Sequence, residues 1–146
     1  MADETIEDVN DVIAVLKGGA AFYRKAAGEV KNPQLQKLFR ENAEKRDVAV
    51  AELSAKVTAR GGEPASGSWA EKAHGWYASA MGMFGDKDET LVEQLEEHED
   101  RTLEEIRDAL EDLPAAEDGD VREMLQRHLA AFKETHDQMR ALQKAA

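Results

Sequence analysis

The chain contains no cysteine among its 146 residues. This absence excludes a disulfide framework, a thiolate metal site, an iron–sulfur cluster and a cysteine nucleophile. Aromatic residues make up only 5% and there are three prolines, whereas sheet proteins usually contain more aromatic and β-branched residues. With 42% apolar and 34% charged residues, the composition is that of a folded, helical protein rather than a disordered one.

Positive charge is also scarce, because 19 Lys and Arg stand against 31 Asp and Glu, which gives a formal net charge of -12. Such a chain repels phosphate backbones and anionic lipid headgroups, so we expect neither nucleic acid nor a membrane as a partner. No apolar run approaches the roughly 18 residues of a membrane helix, and the acidic N-terminal segment lacks a signal-peptide core. We expect a cytoplasmic protein that binds a protein or small-molecule partner, and the sequence is compatible with a homo-oligomer.

The length predicts a single domain over residues 1–146. The prolines at 33, 64 and 114 separate long segments with helical apolar spacing, which predicts four helical blocks. These blocks run from about Thr5 to Lys31, from Asn32-Pro33 to Gly61-Gly62, from about Asp88 to Pro114, and from about Asp120 to Leu142. The pattern is typical of an all-α four-helix bundle.

The connection from Gly61 to Lys87 is too long for a tight turn and contains its own amphipathic stretch, Ser68 to Phe84. A short helix with loops on both sides is long enough to return along the bundle. We therefore predict a crossover connection, with the second and third blocks parallel and the order up-down-down-up. Within it, Trp69, His74 and Trp76 either pack on the bundle or line a pocket or partner surface.

Five polar residues fall on or beside the apolar stripes of the blocks, and they are Asn42, Arg46, Glu99, His128 and His136. Arg46 and Glu99 lie at similar depths in parallel blocks, which predicts a buried ion pair between them with His128 or His136 as further hydrogen-bond partners. The antiparallel first block has Gly18-Gly19 at that depth, and glycine there would leave room for the arginine side chain. Charge runs such as Glu96-Glu97 are predicted to be solvated.

As an alternative to a buried ion pair, a four-helix bundle can bind a di-metal carboxylate centre in its core. Such a centre needs a Glu from each of two helices and a Glu-x-x-His pair from each of the other two. The residues three before His128 and His136 are Leu125 and Lys133, and the first block has no inward acid at the matching depth. The alternative that remains is a reduced site for iron or another divalent metal, made by Glu99, His128 and His136.

Four segments together carry a resemblance to a known family: residues 38–53 (LFRENAEKRDVAVAEL), 61–69 (GGEPASGSW), 74–76 (HGW) and 136–143 (HDQMRALQ). From residue 10 to residue 142 the chain resembles an uncharacterised bacterial ferritin-like family, a domain of unknown function that is often associated with stress responses. The resemblance implies a ferritin-like bundle with a long crossover, and it makes iron chemistry conceivable.

The resemblance also bears on single positions. Arg46, Glu99 and His136 match positions that the family fills similarly, whereas the acidic residue expected near residues 19–22 is replaced by Gly-Ala-Ala-Phe. We therefore expect a non-catalytic, stress-associated binding or accessory protein with a buried Arg/Glu/His polar core and no cofactor. The alternative is an iron-binding protein with the reduced carboxylate and histidine site.

Overall fold

A computed structural model describes residues 2–65, 87–113 and 119–145 of the chain. In these ranges the protein is all-α, with four helices and no strand: α1 (Ala2–Glu29), α2 (Pro33–Ala59), α3 (Lys87–Asp112) and α4 (Gly119–Ala145). The all-α prediction is confirmed. None of these helices is long and apolar enough to cross a membrane. The predicted crossover helix at residues 68–84, with Trp69, His74 and Trp76, lies outside the described residues.

The turn between α1 and α2 forms as its sequence predicts. The Asn32 side chain accepts a hydrogen bond from the Gln34 amide at 2.9 Å, and Pro33 occupies the first helical position. Asp88, at the start of α3, accepts bonds from the backbone amides of Lys31 and Asn32 at 2.9 and 3.2 Å. One end of α3 is thereby fixed to the α1–α2 turn.

The contacts along the helices set their relative directions. At the other end of the α1–α2 pair, Asn10 bonds the backbone of Glu63 and Ala65, so α1 and α2 run antiparallel. Because α3 begins beside the α1–α2 turn and passes Gly19 of α1 at His98, it too runs antiparallel to α1. The N-terminal half of α4 contacts the C-terminal part of α2 and the C-terminal part of α3.

The apolar core consists of two clusters separated by a layer of polar residues. One cluster is centred on Val12, Leu16, Leu53, Ile106 and Leu125, and the other on Tyr23, Phe39, Leu91, Leu95 and Met139. Between the two clusters, one residue from each helix joins a connected set, namely Gly19 on α1, Arg46 on α2, Glu99 on α3 and Thr135 on α4. We call these four residues the polar layer.

Candidate functional site

The centre of the polar layer is an ion pair between Arg46 and Glu99. The two side chains are completely buried, and an Nη2 atom of the guanidinium meets Oε1 of the carboxylate. Helical phase and similar depth bring them together, since each lies about 20 Å along its helix from the end that adjoins the α1–α2 turn. The structure therefore joins the two residues that the sequence pattern paired.

Two aromatic rings enclose the guanidinium of Arg46. Its Cζ atom lies 4.8 Å from the centroid of the Tyr23 ring and 4.9 Å from that of Phe132. Each ring presents its negative face to the cation, which offsets part of the lost hydration. Burial lowers the pKa of Arg46 and raises the pKa of Tyr23, since removal from water disfavours the charged form of each group.

Gly19 allows the Arg46 side chain to cross the bundle against α1. A Cβ atom at position 19 would lie 2.6 Å from Arg46 Nε and 2.9 Å from His98 Cε1. Both distances are shorter than nonbonded carbon contacts allow, so a side chain at this position would displace the arginine. The prediction that glycine provides room for Arg46 is confirmed for Gly19.

Glu99 has a second polar partner, the hydroxyl of Thr135, which donates a hydrogen bond to Oε2. The predicted partners, His128 and His136, are therefore wrong for this role. The Phe132 carbonyl oxygen lies 3.0 Å from the same hydroxyl and is its alternative acceptor. Sequence reasoning missed this threonine, although its position between Phe132 and Met139 places it on the buried stripe of α4.

His98 and Asn42 complete the polar surroundings of Arg46. His98 is buried and its ring meets Phe22 edge-on, with centroids 6.2 Å apart. Burial, followed by repulsion from Arg46 and Arg101, lowers the pKa of His98 to about 3, so the ring is neutral at pH 7. Asn42, one turn before Arg46 on α2, is fully buried.

His128 belongs to a different part of the bundle. Its Nε2 atom lies 3.2 Å from Glu52 Oε2, and Glu52 also accepts two bonds from Arg127. Burial lowers the pKa of His128, an effect that the charge of Glu52 opposes. The hydrogen bonds of Arg127 lower the pKa of Glu52. The contact thus joins α4 to α2, away from Glu99.

His136 lies on the seam between α3 and α4, with its side chain only 9% exposed. Its Nε2 atom is 2.6 Å from Asp100 Oδ1 and 3.4 Å from Glu96 Oε1, and its Nδ1 atom is 3.1 Å from Asp137 Oδ1. The side chain of Glu96 is only 12% exposed. The prediction of a solvated face is therefore wrong for Glu96, which faces His136 across the seam between α3 and α4.

The predicted reduced metal site of Glu99, His128 and His136 does not form as one set. His128 and His136 are eight residues apart on α4, or about 12 Å, and face different helices. Glu99 is already bonded to Arg46 and Thr135. In the described part of the chain, the group of side chains whose ligand atoms converge is instead Glu96, Asp100 and His136.

A di-iron centre of the ferritin type does not fit the interior. It requires four inward carboxylates, whereas Glu99 is the only buried acidic residue in the described ranges. A guanidinium stands beside that carboxylate, and its fixed positive charge repels a divalent cation. The arrangement can stabilise and orient the four helices, and its one buried carboxylate is bonded to Arg46 and Thr135.

The chain was also compared with known proteins. No curated protein matches it significantly. A match to a family does exist, and it extends over α1, α2 and α3. Residues 4–112 correspond to the domain of unknown function DUF2383, and because they make up most of the chain, the protein belongs to that family.

Proposed function

We propose that this protein is a non-catalytic, ferritin-like four-helix bundle that acts as a binding or accessory protein. Its interior is held together by a buried ion pair at the depth where an oxidase of this architecture would need a metal centre. The observation that carries the proposal is the contact between Arg46 and Glu99, enclosed by Tyr23 and Phe132. The carboxylate is neutralised by a residue of the chain itself, so it has no unmet need for a cation.

The ferritin-like topology, in the order up-down-down-up with a crossover between α2 and α3, is part of this proposal. It is supported by the contacts that make both α2 and α3 antiparallel to α1. The separation of the two core clusters supports it as well, because residue numbers increase from the first cluster to the second in α1 and α4 but decrease in α2 and α3. Two helices that follow one another in the chain and run parallel require a connection that returns along the bundle.

The proposed setting is the bacterial cytoplasm, in the stress-associated family that the sequence resembles. The acidic composition supports this setting, since a net charge of -12 keeps a small protein soluble and away from nucleic acid. The partner is a protein or a small molecule rather than a polyanion. Neither a binding role nor an accessory role needs a redox cofactor in the bundle interior.

Iron loading tests the proposal. Ferrous iron is added anaerobically to the purified chain, air is admitted, and bound iron and the rate of iron oxidation are measured. We expect at most one bound iron per chain, at a site that does not involve Glu99, and no oxidation above the buffer rate, with Glu99→Gln giving the same result. Two tightly bound irons per chain, lost in Glu99→Gln, would show that the interior is a metal centre and overturn the proposal.

A further inference from the structure

We propose that Glu96, Asp100 and His136 form a binding site for one divalent transition-metal ion, which we call the seam site. It lies between α3 and α4, and it uses neither Arg46 nor Glu99 of the polar layer. The inference therefore goes beyond the proposed function. A bundle with a closed interior can still carry a metal on this seam.

The three side chains offer one nitrogen and two oxygen ligands at suitable separations. Their ligand atoms lie within 4.8 Å of one another, with Nε2 of His136 at 2.6 Å from Asp100 Oδ1 and 3.4 Å from Glu96 Oε1. Two atoms that bind one zinc ion with bonds of about 2.1 Å stand roughly 3 to 3.5 Å apart. Asp100 has the most exposed side chain of the three, at 59%, so it is the ligand with the most room to adjust its separation from Nε2.

The hydrogen bonding of His136 provides an independent reason to expect a cation. Its Nδ1 atom lies 3.1 Å from Asp137 Oδ1, a carboxylate oxygen that accepts hydrogen bonds. The other ring nitrogen, Nε2, faces Glu96 and Asp100. This atom is buried and has no hydrogen-bond partner in the described ranges, although two carboxylate oxygens stand beside it.

Two carboxylates that converge on a covered imidazole nitrogen repel each other unless a positive charge lies among them, and a metal ion supplies that charge. A histidine that donates its other nitrogen to a carboxylate is the usual arrangement at metal sites, since the carboxylate fixes the tautomer and increases the basicity of the ligand. The Asp137–His136 pair has this arrangement, which favours the metal.

The donor set selects the class of metal. Imidazole with two carboxylates suits zinc, cobalt, nickel or ferrous iron, whereas magnesium and calcium prefer oxygen ligands throughout. The Asp100 side chain is 59% exposed, while Glu96 and His136 are largely covered. The ion would therefore enter from the Asp100 side, and water would occupy the remaining coordination positions.

Titration calorimetry of the full chain without a histidine tag, with zinc chloride as the probe, tests the seam site. We expect one zinc per chain, at least tenfold weaker binding in His136→Gln, and weaker binding in Glu96→Gln and Asp100→Asn. Glu97→Gln and His128→Gln are the matched controls. Glu97 is exposed next to Glu96 and loses the same charge, and His128 is the other buried histidine of α4. Both controls should bind zinc like the wild type.

Three results would overturn the seam site: wild-type zinc affinity in His136→Gln, equal weakening by Glu96→Gln and Glu97→Gln, or no zinc binding by the wild type. Circular dichroism of each variant checks the fold. Should His136→Gln not fold, cobalt absorption spectra of wild type and Glu96→Gln decide, because loss of a ligand changes the bands of the bound ion. If zinc binding depended on Glu99 and not on the seam residues, two proposals would fail. The proposed function would fail because Glu99 would bind a metal, and the seam site would fail because its residues would not.

Discussion

Gly19 of α1 and Arg46 of α2 are matched to each other, since the arginine side chain occupies the space that any Cβ at position 19 would need. The distance from such a Cβ to Nε would be 2.6 Å, and Arg46 is fully buried, so it has little freedom to move away. A glycine in the middle of a helix normally destabilises it by about 1 kcal/mol relative to alanine. At position 19 this destabilisation comes with space for the buried, positively charged side chain of Arg46.

Gly19→Ala should therefore lower the free energy of unfolding by about 1 to 3 kcal/mol, as overpacked core positions do, despite the better helix propensity of alanine. The measurement is urea denaturation followed by circular dichroism. Gly28, in the same helix, is the matched control because no atom lies within 4 Å of a Cβ built there. Gly28→Ala should leave stability unchanged or raise it by up to about 1 kcal/mol. Equal effects of the two substitutions would refute the steric role of Gly19.

The buried ion pair should show strong coupling between its two members. Arg46→Met and Glu99→Leu should each destabilise the protein by about 3 to 5 kcal/mol, because each leaves a buried charge without its partner. The double variant should recover much of this loss, since it buries no charge. Urea unfolding of the four proteins gives the coupling energy.

The matched control for this cycle is the exposed pair of Arg24 and Asp47, whose side chains are each 50% exposed. Alanine substitutions there should give a coupling energy below about 1 kcal/mol. If Arg46→Met and Glu99→Leu combine additively, the two charges do not depend on each other, and the polar layer is held by other contacts.

Thr135→Val keeps the shape of the side chain but removes the hydroxyl that donates to Glu99. We expect a loss of about 1.5 to 3 kcal/mol in the free energy of unfolding, the range for a hydrogen bond to a buried charge. Thr102→Val serves as the control, because the Thr102 hydroxyl donates to the carbonyl of His98 in its own helix, at 2.9 Å. The loss at position 135 should shrink in a Glu99→Leu background, where the Phe132 carbonyl is the remaining acceptor, and an undiminished loss there would argue against the bond to Glu99.

His98 should make the protein less stable as the pH falls. Its pKa is about 3 in the folded state against 6.5 for an unperturbed histidine, so the unfolded chain binds the additional proton first. The contribution of neutral His98 to the free energy of unfolding is fully present above pH 6.5, and it declines as the pH falls to about 3. Between pH 7 and pH 5 this amounts to about 2 kcal/mol.

Urea unfolding of wild type and His98→Gln at both pH values isolates this contribution, since the other titrating groups are common to the two proteins. The wild type should lose about 2 kcal/mol more than the variant over this interval. Equal losses in the two proteins would mean that His98 takes up a proton in the folded state as readily as in the unfolded chain.

Much of the polar layer follows from helical phase and depth. Asn42, Arg46 and Glu99 fall on apolar stripes, and the near-equal depth of the last two predicts their contact. The need for space at Gly19 follows from the same reasoning. The histidine partners could not be predicted in this way. His128 lies among the apolar residues of the α4 stripe and His136 on its flank, and a rotation of α4 by a few tens of degrees decides which neighbouring helix each one faces.

The sequence by itself therefore determined the all-α class, the helix ends around Asn32-Pro33, the acidic surface and the opposed charges of the interior. These properties depend on periodicity, capping and composition, which are local. Only the tertiary structure decided that Thr135 rather than a histidine bonds Glu99, that His128 meets Glu52, and that Glu96 and Asp100 converge on His136. Such contacts depend on the rotation and offset of packed helices, which result from the fit of all side chains at once.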